Sequence, residues 1–156
     1  RGLLQTQLGS FDAALQDFNQ VLEIDPQLVR AYIGRGTVYR QMGDIEQAIA
    51  DYEKALELDP NNALVFYNRA IAYNQSGSPV SALEDYATAI SLQPDLAEAY
   101  ANRGMILVEG GNVVNGVRDL RQAARFFSEQ GQTDDYLQVV NLLRNIDVGV
   151  PARLIF

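Results

Sequence analysis

The chain repeats itself every 34 residues, and this period constrains its fold more than any other feature of the sequence. Prolines and glycines mark the register most clearly, at Pro26, Pro60 and Pro94 and at Gly9, Gly43, Gly77 and Gly111. Small and aromatic residues keep the same step, at Gly36, Ala70 and Gly104, at Ala14, Ala48 and Ala82, and at Tyr32, Phe66 and Tyr100. A fixed period of this length predicts an array of short units that stack on their neighbours.

Each unit is predicted to consist of two helices joined at a glycine. In the second unit, the pattern predicts a first helix over residues 28–41, a turn at Gly43, and a second helix over residues 45–58 that ends before Pro60. Small residues such as Gly36 allow the two helix backbones to approach closely. We expect the polar residue before each second helix to cap it with its side chain, at Ser10, Asp44, Ser78 and Asn112.

A unit of this length with these small, aromatic and proline positions resembles the tetratricopeptide repeat. The resemblance implies an all-α fold, an α-solenoid of tandem helix-turn-helix hairpins. In this register, residues 1–147 are one solenoid, divided into a truncated repeat 1 (1–28), repeat 2 (29–62), repeat 3 (63–96), repeat 4 (97–130) and a capping helix (133–146). The arginine-glycine form of the repeat and the segment QGQTDDYLQVVNLL are similar to tetratricopeptide proteins of cyanobacteria and related bacteria.

Arginine and aspartate form two further ladders, at Arg1, Arg35, Arg69 and Arg103 and at Asp17, Asp51, Asp85 and Asp119. Arg35 precedes Gly43 by as many residues as Asp51 follows it, so folding the hairpin at Gly43 brings the two side chains to the same height. We therefore expect an Arg–Asp ion pair in each hairpin. Because the pair recurs in every repeat, we interpret it as fixing the register of the two helices rather than binding a ligand.

Composition excludes several classes of function. The chain has 20 acidic and 12 basic residues, a net charge of -8, and this disfavours a nucleic-acid surface. Cysteine and histidine are absent, which removes thiolate nucleophiles, Ser-His-Asp relays and the usual zinc ligands. The stretch GRGTVYRQMG lacks the third glycine of a dinucleotide fingerprint and the G-K-[ST] of a P-loop. The sequence thus predicts no enzyme, no cofactor and no metal.

Further predictions concern the ends of the chain and its compartment. Arg1 falls in the middle of a first helix in this register, so we expect the chain to be a piece of a longer protein. No run of 18 apolar residues predicts insertion into a membrane. A soluble, cytoplasmic protein is favoured, although the sequence does not fix a compartment. Residues 148–156, VGVPARLIF, are expected to form an extended apolar tail that packs on the last helices or, alternatively, docks in a groove.

By resemblance, the first helices of successive repeats line a concave surface that receives a peptide or a partner helix. The matching positions, here called the predicted lining, are Arg30, Ile33, Thr37, Arg40, Tyr67, Asn68, Ile71, Asn74, Glu98, Asn102 and Met105. Their mixed character suits an amphipathic helix or an extended peptide. Core packing explains Ile33 and Ile71 equally well. Arg30 and Arg40, opposite in charge to Glu98, predict a partner that is acidic near repeat 2 and basic near repeat 4.

Two functions from different classes follow. The first is an adaptor that binds a protein or peptide ligand on the predicted lining, and the alternative is self-association through array edges or the apolar tail. The co-chaperone clamp for C-terminal carboxylates, a well-known subclass, agrees with this chain only at Asn68, so its function is not transferred. Substitutions in the lining affect partner binding under the first hypothesis, and removal of residues 148–156 alters the oligomeric state under the second.

Overall fold

The computed structural model describes residues 11–147, which form eight α-helices. In chain order these are α1 (Phe11–Ile24), α2 (Val29–Met42), α3 (Ile45–Leu58), α4 (Ala63–Gln75), α5 (Pro79–Leu92), α6 (Ala97–Glu109), α7 (Val113–Glu129) and α8 (Thr133–Asp147). The predicted all-α fold of tandem helical hairpins is confirmed. The predictions for Arg1, for the start of repeat 1 and for the apolar tail lie outside the described residues.

Glycines end four of the helices in a left-handed conformation, with φ between 73° and 90°, at Gly43, Gly77, Gly111 and Gly131. After α2, the N–H of Gly43 donates to the carbonyl of Arg40 at 3.2 Å, and the N–H of Asp44 donates to the carbonyl of Tyr39 at 2.9 Å. The same two bonds close α4, α6 and α7. This arrangement is the Schellman motif, in which glycine avoids the steric cost that a Cβ would impose.

Replacing Gly43 by alanine should lower the free energy of unfolding by about 1 kcal/mol. Apart from the glycine itself and its two chain neighbours, no atom of residues 11–147 lies within 4 Å of the position that a Cβ would occupy, so the cost arises from the backbone conformation and not from a collision. Chemical denaturation followed by circular dichroism measures it. Asparagine tolerates the left-handed conformation better than alanine, so Gly43→Asn should cost less; equal losses in the two variants would contradict the conformational explanation.

The expected side-chain caps are wrong at two helices. Asp44 and Asn112 precede α3 and α7 but make no capping hydrogen bond with their side chains. Their ψ angles, 65° and 60°, lie outside the extended region in which a capping side chain reaches the first turn. Asn62, which the sequence pattern did not single out, has a ψ of 101° and accepts a bond from the N–H of Val65 at 3.3 Å. Ser10 lies outside the described residues.

The described residues belong to two compact units, unit one up to Asp85 and unit two from Tyr86. In unit one, α2 packs against α1, α3 and α4. Two clusters of buried side chains make its core: Ala14, Phe18, Leu22, Ala31 and Val38, and then Ala48, Tyr52, Ala55, Val65 and Ala72. Alanine recurs because the helices lie close together, and the larger residues fill the spaces between them.

In unit two, α7 packs against both α6 and α8. The buried cluster consists of Ala97, Leu120, Ala123, Ala124, Phe127, Val139 and Leu142. From α8, Val139 and Leu142 are buried in this cluster, and the partly buried Tyr136, Val140, Leu143 and Ile146 pack against it. The last described helix therefore covers apolar surface of α6 and α7. Within residues 11–147, every helix is too short or too polar to cross a membrane.

Candidate functional site

Three of the four predicted Arg–Asp pairs join the two helices of a hairpin. The Nε and Nη2 atoms of Arg35 donate to the two carboxylate oxygens of Asp51 at 2.8 and 2.7 Å. Arg69 and Asp85 make the same two bonds at 2.7 and 2.9 Å. Arg103 and Asp119 make them at 2.6 and 2.9 Å. These are two-point, charge-assisted hydrogen bonds, the strongest kind available between side chains.

The fourth predicted pair includes Arg1, which lies outside the described residues, so only the position of Asp17 is known. Asp17 is half-buried on α1.

The paired groups are largely withdrawn from solvent. Each of the three aspartates, Asp51, Asp85 and Asp119, is only 6% exposed. The hydrogen bond that the Arg35 guanidinium donates to Asp51 raises the pKa of Arg35, against the opposing effect of burial. The third nitrogen of Arg35, Nη1, donates to the side-chain oxygen of Asn19 at 2.8 Å. Arg35, the glycine-flanked arginine of GRGTVYRQMG, is thus occupied by protein partners and does not present its guanidinium to a phosphate.

Aromatic rings support the same arginines. The Arg35 guanidinium lies 5.6 Å from the ring centre of Tyr32, and Arg103 lies 5.7 Å from that of Tyr100. Arg69 lies 5.5 Å from the ring of Phe66. At these distances the cation is attracted to the face of the ring. The aromatic ladder at residues 32, 66 and 100 therefore positions the arginine ladder as well as filling space.

Eight residues of the predicted lining lie in unit one, on the neighbouring helices α2 and α4. Arg30 and Asn74 are exposed, and the others are half-buried, namely Ile33, Thr37, Arg40, Tyr67, Asn68 and Ile71. Ile33 packs against the cluster that contains Tyr52, so part of its side chain belongs to the core. The side-chain amide of Asn68 donates to the carbonyl of Leu64 on its own helix at 2.9 Å.

Sequence reasoning missed the role of Tyr52, a residue of the core. Its side chain is fully buried, and its hydroxyl lies 3.3 Å from that of Thr37. Burial raises the pKa of Tyr52, while the Thr37 hydroxyl and the Arg40 guanidinium oppose that rise. One indication was present in the sequence, namely a tyrosine at a core position where phenylalanine also fits. The hydroxyl of such a buried tyrosine requires a polar partner.

The other three lining residues, Glu98, Asn102 and Met105, lie on α6 in unit two and are all half-buried. Met105 packs against the hydrophobic cluster of unit two. The side-chain amide of Gln132 donates to the carboxylate of Glu98 at 3.4 Å, and Gln130 donates to the carbonyl of Asp95 at 2.8 Å. The turn before α8 therefore contacts this end of α6, which the sequence pattern did not indicate.

Comparisons with known proteins agree with this architecture. A family model described as TPR repeat matches residues 2–39 and again residues 36–77. No curated protein matches the sequence significantly.

Solved structures with the same fold include a crystal structure of MamA protein, with 23% identity and a TM-score of 0.75, covering 99% of this chain and 84% of that one. A MamA structure from Desulfovibrio magneticus RS-1 has 19% identity and a TM-score of 0.74, covering 83% and 73%. A third, YrrB, is described as a TPR protein with an unusual peptide-binding site; it has 21% identity and a TM-score of 0.67, covering 93% and 82%. At such identities the similarity establishes the fold.

Proposed function

The chain is a tetratricopeptide-repeat protein, and from that premise we propose that it is a non-catalytic adaptor that holds a peptide or helix of a partner on the predicted lining. Proteins of this family mediate protein–protein interactions. In unit one the surface is formed by α2 and α4, which lie side by side. YrrB, whose fold is similar, is itself described as having a peptide-binding site.

The observation that carries the proposal is the character of the side chains on α4. Tyr67 and Ile71 are half-buried, and the two hydrophobic clusters of unit one are built from other residues. Asn74 is exposed one turn further along the helix. A partly exposed tyrosine and isoleucine beside amides provide apolar contact area together with donors and acceptors for a peptide backbone. The Arg–Asp pairs hold the helices that carry these side chains in a fixed register.

Replacing Tyr67 by alanine should weaken peptide binding about tenfold or more, because partly exposed tyrosines are frequent energetic centres of protein interfaces. The ligands for this test come from a displayed library of random peptides, selected on the immobilised chain. Fluorescence anisotropy of the enriched peptides then gives affinities for the chain and its Tyr67→Ala variant. Leu137→Ala is the control, since Leu137 is an apolar side chain that is 49% exposed on α8, a helix that carries no residue of the predicted lining. Equal losses in the two variants would contradict the assignment of the surface.

Self-association is the alternative, and the same preparation distinguishes it. If no peptide is enriched while light scattering shows that the chain forms oligomers, the predicted lining is not the working surface. In that case removal of residues 148–156 tests whether the tail joins the copies.

A further inference from the structure

Arg40 lies at a position of the repeat where the residue type is not kept, so the packing of the hairpin does not require an arginine there. The corresponding residues in the next two repeats are Asn74 and Val108. Its neighbour Thr37 likewise has no equivalent hydroxyl, because Ile71 and Met105 stand at the corresponding positions. By contrast, the arginines and aspartates of the interhelical pairs recur in every repeat. A side chain that the fold of the hairpin does not need can contribute to ligand binding.

Arg40 is half-buried on α2, and its Nε atom is shielded from solvent. Among residues 11–147, no atom accepts a hydrogen bond from that Nε. The other three half-buried arginines, Arg35, Arg69 and Arg103, each direct Nε to an aspartate oxygen. A ligand does not reach this shielded Nε, so any contact with a ligand is made by the terminal nitrogens. Within residues 11–147, Arg40 makes no ion pair with an aspartate or glutamate, so its charge is not neutralised within the hairpin.

The buried Tyr52 hydroxyl orients this guanidinium. The Thr37 hydroxyl donates its proton to the carbonyl of Ile33 at 2.8 Å, so at its 3.3 Å contact with Tyr52 it can only accept. The Tyr52 proton therefore points to Thr37, and the free electron pairs of the Tyr52 oxygen face the Arg40 side chain, whose charge acts on that hydroxyl. Tyr52 holds Arg40 in place without neutralising its charge.

Charge on the lining of unit one favours an anion. The whole chain carries a net charge of -8, yet none of the eight lining residues on α2 and α4 is acidic. Arg30, the second cation of this set, is exposed on the same helix. The surface is therefore locally cationic on an acidic protein, and an acidic segment of a partner is attracted to it and repelled elsewhere.

We propose that Arg40 is the anchor for the side-chain carboxylate of an aspartate or glutamate in the bound peptide, with Tyr52 as the residue that positions it. This inference rests on the proposed function, because it assigns the ligand chemistry of the same surface. The planar guanidinium suits a carboxylate, which accepts two parallel hydrogen bonds from it. The two donors are the terminal nitrogens, because Nε is shielded from solvent.

Selection from the random peptide library is run in parallel on the chain and on its Arg40→Gln variant. We expect peptides enriched on the unmodified chain to share an aspartate or glutamate at one position and peptides enriched on Arg40→Gln to lack that preference. Enriched peptides without an acidic position, or with the same acidic position on both proteins, would overturn the proposal while leaving the adaptor function intact. Enrichment of no peptide on either protein would overturn the adaptor function and this proposal together.

A double-mutant cycle then tests the contact itself. For one enriched acidic peptide, Arg40→Gln should weaken binding about tenfold, and so should replacing the peptide carboxylate by its amide. Both changes together should cost little more than either alone. Arg121→Gln, at an exposed arginine on α7, removes the same charge and should leave affinity nearly unchanged. Additive losses, or an equal loss in Arg121→Gln, would show that the attraction is a general effect of net charge and not a contact at Arg40.

Discussion

Replacing Arg69 by methionine is expected to lower the free energy of unfolding by roughly 2–4 kcal/mol, because it leaves the Asp85 carboxylate buried without its partner. Asp85 is 6% exposed, and both of its oxygens accept bonds from Arg69. Methionine keeps most of the length and apolar packing of the arginine stem, so the variant isolates the loss of the charged head. Urea unfolding followed by circular dichroism gives the measurement.

Two further variants separate the stability of the pair from the cost of breaking it. Arg69→Met combined with Asp85→Leu should recover most of the loss, since a buried ion pair and an apolar pair of similar volume are often close in stability. Arg125→Met removes the charged head from the pair that Arg125 makes with the exposed Glu129 at 2.8 Å, and it should leave the free energy of unfolding nearly unchanged. If Arg69→Met is no worse than Arg125→Met, the recurring pairs do not fix the hairpin.

The sequence predicted the features that depend on the repeat register. A side chain that recurs every 34 residues meets the same neighbours each time, so one symmetric placement about Gly43 was enough to predict that Arg35 and Asp51 meet. The turns at the recurring glycines were equally predictable, because few other residues adopt the left-handed conformation. The interpretation of these pairs as register-fixing is the part that the Arg69 and Asp85 variants test.

Features that depend on small differences in backbone angle or on side-chain rotamers were not predictable. Asp44 has a capping residue type, but its ψ angle keeps the carboxylate from the first turn. The chain of hydroxyls from Thr37 to Tyr52 depends on where the phenol lies between α2 and α3, and no spacing rule gives that. Whether the Nε of Arg40 finds an acceptor depends on the positions of all the side chains packed around it. A sequence pattern gives the position of such a residue but not its surroundings.

At Gly116, the series of small residues that recurs every 34 positions gives a wrong expectation about which residue fits. Its counterparts are Ala14, Ala48 and Ala82, so the pattern suggests that alanine fits there too. In the structure, a Cβ on Gly116 would lie 2.7 Å from the carbonyl oxygen of Gly104 and 2.5 Å from a methyl group of Val108. A Cβ on Gly104 would lie 2.9 Å from the carbonyl oxygen of Gly116, whereas a Cβ on Gly36 would lie 3.2 Å from that of Ala48. The contact between α6 and α7, with glycine on both sides, is therefore the tighter of the two.

Gly116→Ala should therefore destabilise the protein by about 1–3 kcal/mol, although helix propensity alone favours alanine by about 1 kcal/mol. The same unfolding measurement decides between the two effects by its sign. The matched opposite change, Ala48→Gly, should also destabilise, by about 1 kcal/mol, since that fully buried alanine fits its position in α3. Adding Val108→Ala to Gly116→Ala removes the closest collision but leaves the carbonyl of Gly104 in place, so it should recover only part of the loss. A Gly116→Ala variant more stable than the parent would mean that α6 and α7 can separate at no cost, and that the close approach is not needed for the packing of unit two.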